Sequence, residues 1–150
     1  MLKKNIAVIG AGWFGCHIAL KLKKKNYKVV IYEKEKDIFL GASGANQNRL
    51  HLGFHYPRSF VTREQSKKGY KLFIKTYPDL SKKVNKNIYA IAKDKKNIID
   101  FKSYLEIIKS SKLFFKKTDP KKIGLKNIEG AIVCKERLID LDAAKKFFKK

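Results

Sequence analysis

Two cysteines, Cys16 and Cys134, are too few for a disulfide framework or a thiolate metal cluster. Each lies in an apolar stretch, as expected of buried free thiols. No H-E-x-x-H or C-x-x-C pattern occurs, so no metal site is expected. No apolar run approaches the roughly 20 residues needed to cross a bilayer. The N-terminal MLKKNIAVIG soon breaks into glycines and reads as a strand rather than a signal peptide. A soluble, cytoplasmic chain is therefore expected. Acidic residues are also few, 13 against 36 basic ones, for a net charge of +23. Such an excess suggests nucleic-acid or anionic-membrane partners. Yet arginine is scarce, limited to Arg49, Arg58, Arg63 and Arg137. Arginine is the preferred fork for phosphates and base edges, whereas lysine is a generic solvated charge. The lysines are spread along the chain, so the charge reads as a compositional bias. A nucleic-acid-binding module remains as an alternative, but no known binding motif or strand face with interleaved aromatics supports it.

The chain does carry enough apolar residues for a core, 44% of 150, about one domain's worth. Lys4–Ile9 reads as a short strand ending at glycine. Trp13–Lys25 reads as a helix with Phe14, Ile18 and Leu22 on one side, closed by Asn26, which tolerates the left-handed conformation. Lys28–Glu33 is a second strand, and its nearly unbroken apolar run suits a parallel strand buried on both faces. Leu40–Gly53 is small and polar, hence loop-like. Ser59–Tyr77 reads as a helix stopped by Pro78. Beyond it come a strand at Ile88–Ala92, a helix at Asn97–Lys109, strands at Lys112–Lys116 and Ile128–Lys135, and a last helix capped by Asp140 or Asp142. A first βαβ unit needs further parallel strands to bury its faces, and the sequence offers few. The chain is therefore expected to be part of a longer protein.

Gly10-Ala11-Gly12-Trp13-Phe14-Gly15 fits G-x-G-x-x-G, with a strand before it, a helix and a second strand after it, and then an acid. Gly10 permits the tight turn, Gly12 lets the backbone approach a pyrophosphate, and Gly15 lets helix and strand pack closely. The helix N-terminus offers N–H groups and a positive dipole end to the phosphates. Glu33, at the end of the second strand, can accept hydrogen bonds from ribose hydroxyls and disfavours a 2′-phosphate. Ala11, Trp13 and Phe14 within the turn, and Lys34 beside the acid, complete the expected cofactor contacts.

This fingerprint alone does not separate NAD from FAD. The following stretch, Gly41 to Pro57, resembles the D-amino-acid-oxidase-like (DAO) superfamily of FAD-dependent oxidoreductases. The 2-hydroxyglutarate dehydrogenase branch shows N-x-G-x-x-H-x-G-x-x-Y here, and this chain has Asn46, His51, Gly53 and Tyr56 in register. It departs at Asn48, where that branch has glycine, and at Arg49, where it has an aliphatic residue. The resemblance implies an α/β fold: a Rossmann-like FAD-binding start and part of an α+β substrate domain. The expected division is 1–78 for the FAD-binding part and 79–150 for the beginning of the substrate domain. It also implies FAD as cofactor, with Ala42 and Ser43 near its phosphates and Asn48, Arg49 and Leu50 along the flavin side.

The implied activity is oxidation of a small hydroxy acid, amino acid or amine by hydride transfer to the flavin. His51 is the candidate acid/base. His55 and His17 read as structural, and Tyr56 and Arg58 as candidate holders of a substrate carboxylate. A flavin-dependent sugar-nucleotide mutase of the galactopyranose type is the other enzymatic alternative. Those proteins carry paired glycines soon after the strand-two acid, where this chain reads Phe39-Leu40-Gly41-Ala42. A small-molecule substrate is the expected partner, and the oligomeric state is left open.

Overall fold

The computed structural model describes residues 5–150. In chain order the elements are β1 (Asn5–Ile9), α1 (Trp13–Lys23), β2 (Lys28–Tyr32), β3 (Arg49–Leu50), α2 (Phe60–Thr76), β4 (Ser81–Lys83), β5 (Asn87–Ala92), α3 (Phe101–Ser110), β6 (Phe115–Thr118), β7 (Ile128–Cys134), β8 (Arg137–Ile139) and α4 (Leu141–Phe148). The expected Lys4 start of the first strand lies outside the described residues. By contacts the chain forms two units, one from residues up to Asn48 together with Ile139–Lys150, the other from Arg49–Leu138.

In the first unit β1 and β2 pair in parallel, from Asn5 opposite Lys28 to Ile9 opposite Tyr32. The crossover is α1, which buries Cys16 and Ala19. Asn26 takes φ 62° just beyond it, the left-handed turn expected from the sequence. The expected burial of the second strand on both faces is not met: Val30 is 45% and Tyr32 59% exposed, and Ile9 at the end of β1 is 81% exposed. The reason is topological. Among the described residues the sheet has only two strands, with α1 packed on it as the crossover, so much of its face has no covering layer.

α4 belongs to this unit through two sets of contacts. Trp13 stacks on Phe39 at 5.4 Å and meets Phe148 edge-on at 5.6 Å. Asp37 binds Lys149 at 2.7 Å and Lys145 at 3.1 Å. Lys149 and Lys145 hold the Asp37 carboxyl down at about 2. A carboxyl with a folded pKa below its ordinary 3.8 stabilises the fold above that value and loses the contribution as pH falls toward 2. Trp13, the one tryptophan, touches α4 and so reports its docking. Its emission is expected to change between about pH 4 and pH 2. Asp37→Asn is expected to shift the neutral-pH emission toward the acid value. Unchanged emission in that variant contradicts the assignment.

The second unit holds two three-stranded sheets, of order β3-β8-β4 and β5-β7-β6. β7 runs antiparallel to both neighbours, with a register shift at Ile91/Ala92 on β5. α3 starts at Asp100, whose carboxylate accepts from the Ser103 N–H at 2.8 Å, an N-cap. Its buried stripe of Tyr104, Leu105 and Ile108 packs with Phe54, Leu113, Ile132 and Cys134 as the core. Gly130 permits this contact, since a Cβ there would lie 2.1 Å from the Phe101 ring. α2 is capped by Ser59, which accepts from the Thr62 N–H at 3.2 Å.

The contact-based division differs from the expected split at 78/79. Arg63 of α2 is buried and bonds Ser111, Tyr56 and Pro57, which ties α2 to residues 49–138. The chain then returns at β8, where the Ile139 N–H donates to the Asn48 carbonyl at 2.7 Å. β3, β4 and β8, of two or three residues each, were not anticipated; they are too short to show a period.

Candidate functional site

The glycine turn has the geometry that its spacing demands. Gly10 sits at φ +93°, a conformation that L side chains rarely adopt, and its N–H donates to the Tyr32 carbonyl at 2.7 Å. A Cβ on Gly15 would lie 1.9 Å from the Gly10 carbonyl oxygen, so only glycine lets α1 start this close to the turn. A Cβ on Gly12 would meet Ser43 Oγ at 3.1 Å. That hydroxyl accepts from the Trp13 N–H at 2.9 Å, placing Ser43 at the N-terminus of α1. The first N–H groups of a helix have no acceptor within it, and the dipole there favours an anion.

Glu33 completes the turn. Its Oε2 accepts from the Ala11 N–H at 2.6 Å and its Oε1 from the Glu35 N–H at 3.0 Å. The N–H groups of Glu35 and Ala11 hold this carboxyl below its ordinary value, so it is ionised at neutral pH. A carboxylate oxygen has capacity for more than one donor, so each can still accept a hydroxyl. A cleft of about 340 Å³ opens here, lined by Ile9, Gly10, Gly12, Tyr32, Glu33 and Gly41 among others. Its volume is within the range of small-molecule sites. A bare backbone turn, a helix N-terminus and an acceptor carboxylate around one cleft fit the diphosphate and ribose of a dinucleotide. A larger cleft of about 420 Å³ beside α1, lined by Cys16, Ala19, Val29, Phe147, Lys23 and Lys28 among others, contains neither the glycine turn nor a carboxylate side chain.

The other expected cofactor residues divide. The Trp13 ring packs on Phe39 and Phe148, so only its backbone N–H faces Ser43. Phe14 is 82% exposed and the Lys34 side chain is solvent-facing, 3.9 Å from Glu35. The Ala42 carbonyl accepts from Asn46 Nδ2 at 2.7 Å. Asn48 sits at φ 51°. This is a left-handed conformation that asparagine tolerates, which accounts for asparagine where the related branch has glycine. Arg49 and Leu50 form β3, paired with β8, and together with His51 fall in the second unit.

In that unit His51 belongs to a polar cluster centred on Glu136, a residue the sequence did not single out. The Glu136 side chain is fully buried. Its Oε1 accepts from the Leu52 N–H at 2.6 Å and its Oε2 from the Tyr89 hydroxyl at 2.7 Å. His51 Nδ1 lies 3.2 Å from the Tyr89 oxygen and 3.7 Å from Glu136 Oε2; the latter is an electrostatic contact, too long for a hydrogen bond. Arg49 reaches over the Tyr89 ring at 5.2 Å, with Nε 4.0 Å from Glu136. Burial pushes the Glu136 carboxyl up, but His51, the Leu52 N–H and Tyr89 outweigh it, so the net direction is down. Burial, then the bond to Glu136, pushes the Tyr89 phenol up. Burial first, and the Glu136 charge second, push the Cys134 thiol up to about 12, so it is an inert core thiol.

His55 is exposed and stacks on His51 at 5.5 Å, with Tyr56 edge-on to both. Arg58 is exposed and Tyr56 half-buried. Among the described residues no group of three or more His, Cys, Asp or Glu could hold a metal ion, and no helix is long and apolar enough to cross a membrane.

The chain is 38% identical over 144 residues to the FAD-dependent monooxygenase FPY4 of Fusarium mangiferae, covering 96% of this chain and 39% of that one. It is 36% identical over 56 residues to the mitochondrial L-2-hydroxyglutarate dehydrogenase of Caenorhabditis briggsae, covering 36% of this chain and 13% of that one. The fold matches L-proline dehydrogenase from P. horikoshii with a TM-score of 0.62 at 21% identity, over 97% of this chain and 40% of that one. The chain thus spans about two fifths of the length of FPY4. The model of the DAO family, FAD-dependent oxidoreductases, matches residues 5–112, and the chain belongs to that family.

Proposed function

We propose that this chain supplies the adenosine-diphosphate grip and an acid/base residue of an FAD-dependent enzyme that oxidises a small hydroxy acid, amino acid or amine. The observation that carries the first part is Glu33 bonded to the Ala11 N–H at 2.6 Å beside the bare Gly10–Gly12 backbone. Gly10, Gly12, Gly15 and the N-terminus of α1 would hold the diphosphate, and Glu33 the ribose. Ala42 and Ser43 belong to the phosphate side of this reading, and Asn48, Arg49 and Leu50 to the flavin side. FAD supplies the two-electron acceptor when bound. His51 takes the proton that the substrate hydroxyl or amine releases. The reading carries a small-molecule substrate and a cytoplasmic place of action, in keeping with two buried free thiols.

A second reading, substrate hydroxylation with dioxygen, is favoured by the name of the Fusarium mangiferae relative. Anaerobic mixing of the flavin-loaded protein with 2-hydroxy acids, amino acids and amines separates the two. Oxidation predicts bleaching of the flavin band by one of these classes without oxygen, slowed at least about 100-fold in His51→Asn. If none bleaches it, and oxygen from dioxygen appears in a product, the hydroxylation reading replaces it.

A further inference from the structure

We propose that Glu136, acting through Tyr89, is the positioning residue that fixes the tautomer of His51. The inference deepens the reading of His51 as the base and rests on it. The Glu136 side chain is buried and, when ionised, can only accept. The Tyr89 hydroxyl has a single proton, and the 2.7 Å bond to Glu136 Oε2 uses it. The Tyr89 oxygen therefore faces His51 Nδ1, 3.2 Å away, as an acceptor. Nδ1 must carry the hydrogen, and in the neutral ring the second nitrogen, Nε2, is then the unprotonated one that can take a proton.

Three segments hold this relay in place. The Leu52 N–H pins the other Glu136 oxygen at 2.6 Å, next in sequence to His51 itself. Asn87 Nδ2 donates to the Glu136 carbonyl at 3.1 Å, fixing the β7–β8 turn against β5, the strand that carries Tyr89. Arg49 stands on the far side, 4.0 Å from the carboxylate and over the Tyr89 ring, and balances the buried charge. When His51 takes a proton at Nε2 it becomes a cation 3.7 Å from Glu136, so the same carboxylate steadies the charged state. A buried carboxylate that accepts from a backbone N–H and from the phenol that in turn faces an imidazole nitrogen is more than a packing feature. An apolar residue of similar size would fill the space without setting the tautomer.

Nitrogen-15 NMR of the histidine side chains tests this directly, since the chain has three histidines and the two ring nitrogens give distinct signals. The full chain is expected to show His51 in the Nδ1–H form. Tyr89→Phe keeps the ring and removes the acceptor, and is expected to shift the tautomer ratio about tenfold toward Nε2–H, the loss of one hydrogen bond. Glu136→Gln is expected to shift it in the same direction, and His17 should not change in either variant. If Glu136→Gln does not fold, Tyr89→Phe decides alone. A wild-type His51 in the Nε2–H form, or an unchanged ratio in Tyr89→Phe, overturns the proposal. His51→Asn that retains full turnover in the flavin-loaded enzyme would instead remove the reading of His51 as base, leaving the tautomer result as it stands.

Discussion

Gly15→Ala is expected to abolish cofactor retention and to destabilise the first unit by at least about 3 kcal/mol, the upper part of the range for overpacked sites. The added Cβ would stand 1.9 Å from the Gly10 carbonyl oxygen. No rotamer relieves a clash between a Cβ and backbone; either α1 moves away or the turn opens. Both outcomes destroy the cradle, because the Ala11 N–H that Glu33 accepts and the Trp13 N–H that Ser43 accepts lie on either side of it. Gly69→Ala is the matched control. It places a methyl in open space on α2, where alanine is the better helix former, and should raise stability by about 0.5–1 kcal/mol. Urea midpoints and the FAD content per chain check both variants. Equal behaviour of the two substitutions contradicts the role given to the turn.

Arg63→Met is the second large effect, expected to cost about 2–3 kcal/mol of stability through the lost hydrogen bonds of a charged donor. Its guanidinium is buried and bonds Ser111 Oγ at 2.7 Å, the Pro57 carbonyl at 2.6 Å and the Tyr56 carbonyl at 3.1 Å. It thereby fastens the loop that follows His51 to α2 and to the end of α3. Gly53, at φ +110°, lets that loop pass the Arg63 backbone, where a Cβ would come within 3.2 Å. Methionine fills much of the volume but donates nothing, so two carbonyls and the buried Ser111 hydroxyl lose a partner. Lysine should recover little, since it cannot span three acceptors with one planar fork. Thermal or urea unfolding measures the loss, and a cost under about 1 kcal/mol contradicts it. His51 and His55 should also lose their ring contact in the variant, visible as altered histidine proton shifts.

The first βαβ unit was legible because its signals are local and redundant. Gly10, Gly12, Gly15 and Glu33 sit within one short stretch, and at Gly10 and Gly15 the backbone itself demands glycine. Asn26 and Asp140 were legible for the same reason, as a helix end and a helix cap. The exposure of β2 departs from its apolar sequence because an apolar run reports what a strand prefers, not which neighbours it has. The short strands β3, β4 and β8 carry no periodic pattern and form only because β8 brings Arg137 and Leu138 opposite Leu50 and Arg49. Glu136 was invisible for a related reason. In Lys135-Glu136-Arg137 it reads as part of a solvated charge run, and its partners Leu52 and Tyr89 are 84 and 47 residues away. The structure buries it because β7 turns back into β8 beside β3, the strand that leads directly to His51.

The same contrast separates the two halves of the functional reading. The proposed grip on the dinucleotide is built from backbone, which a sequence pattern specifies closely. The cluster proposed for acid/base work is built from side chains gathered across β3, β5 and the β7–β8 turn, which no spacing rule announces. Arg49 illustrates the difference: the resemblance implies a place on the flavin side, and no spacing announces its contact with Glu136 or its position over the Tyr89 ring.

The central claim is that the Gly10–Glu33 unit of this chain holds FAD, and binding titrations on the purified protein test it most directly. A yellow protein whose bound dinucleotide is FAD is expected, with retention weakened by Glu33→Ala and lost in Gly15→Ala. A colourless protein that takes up NAD but not FAD would contradict it.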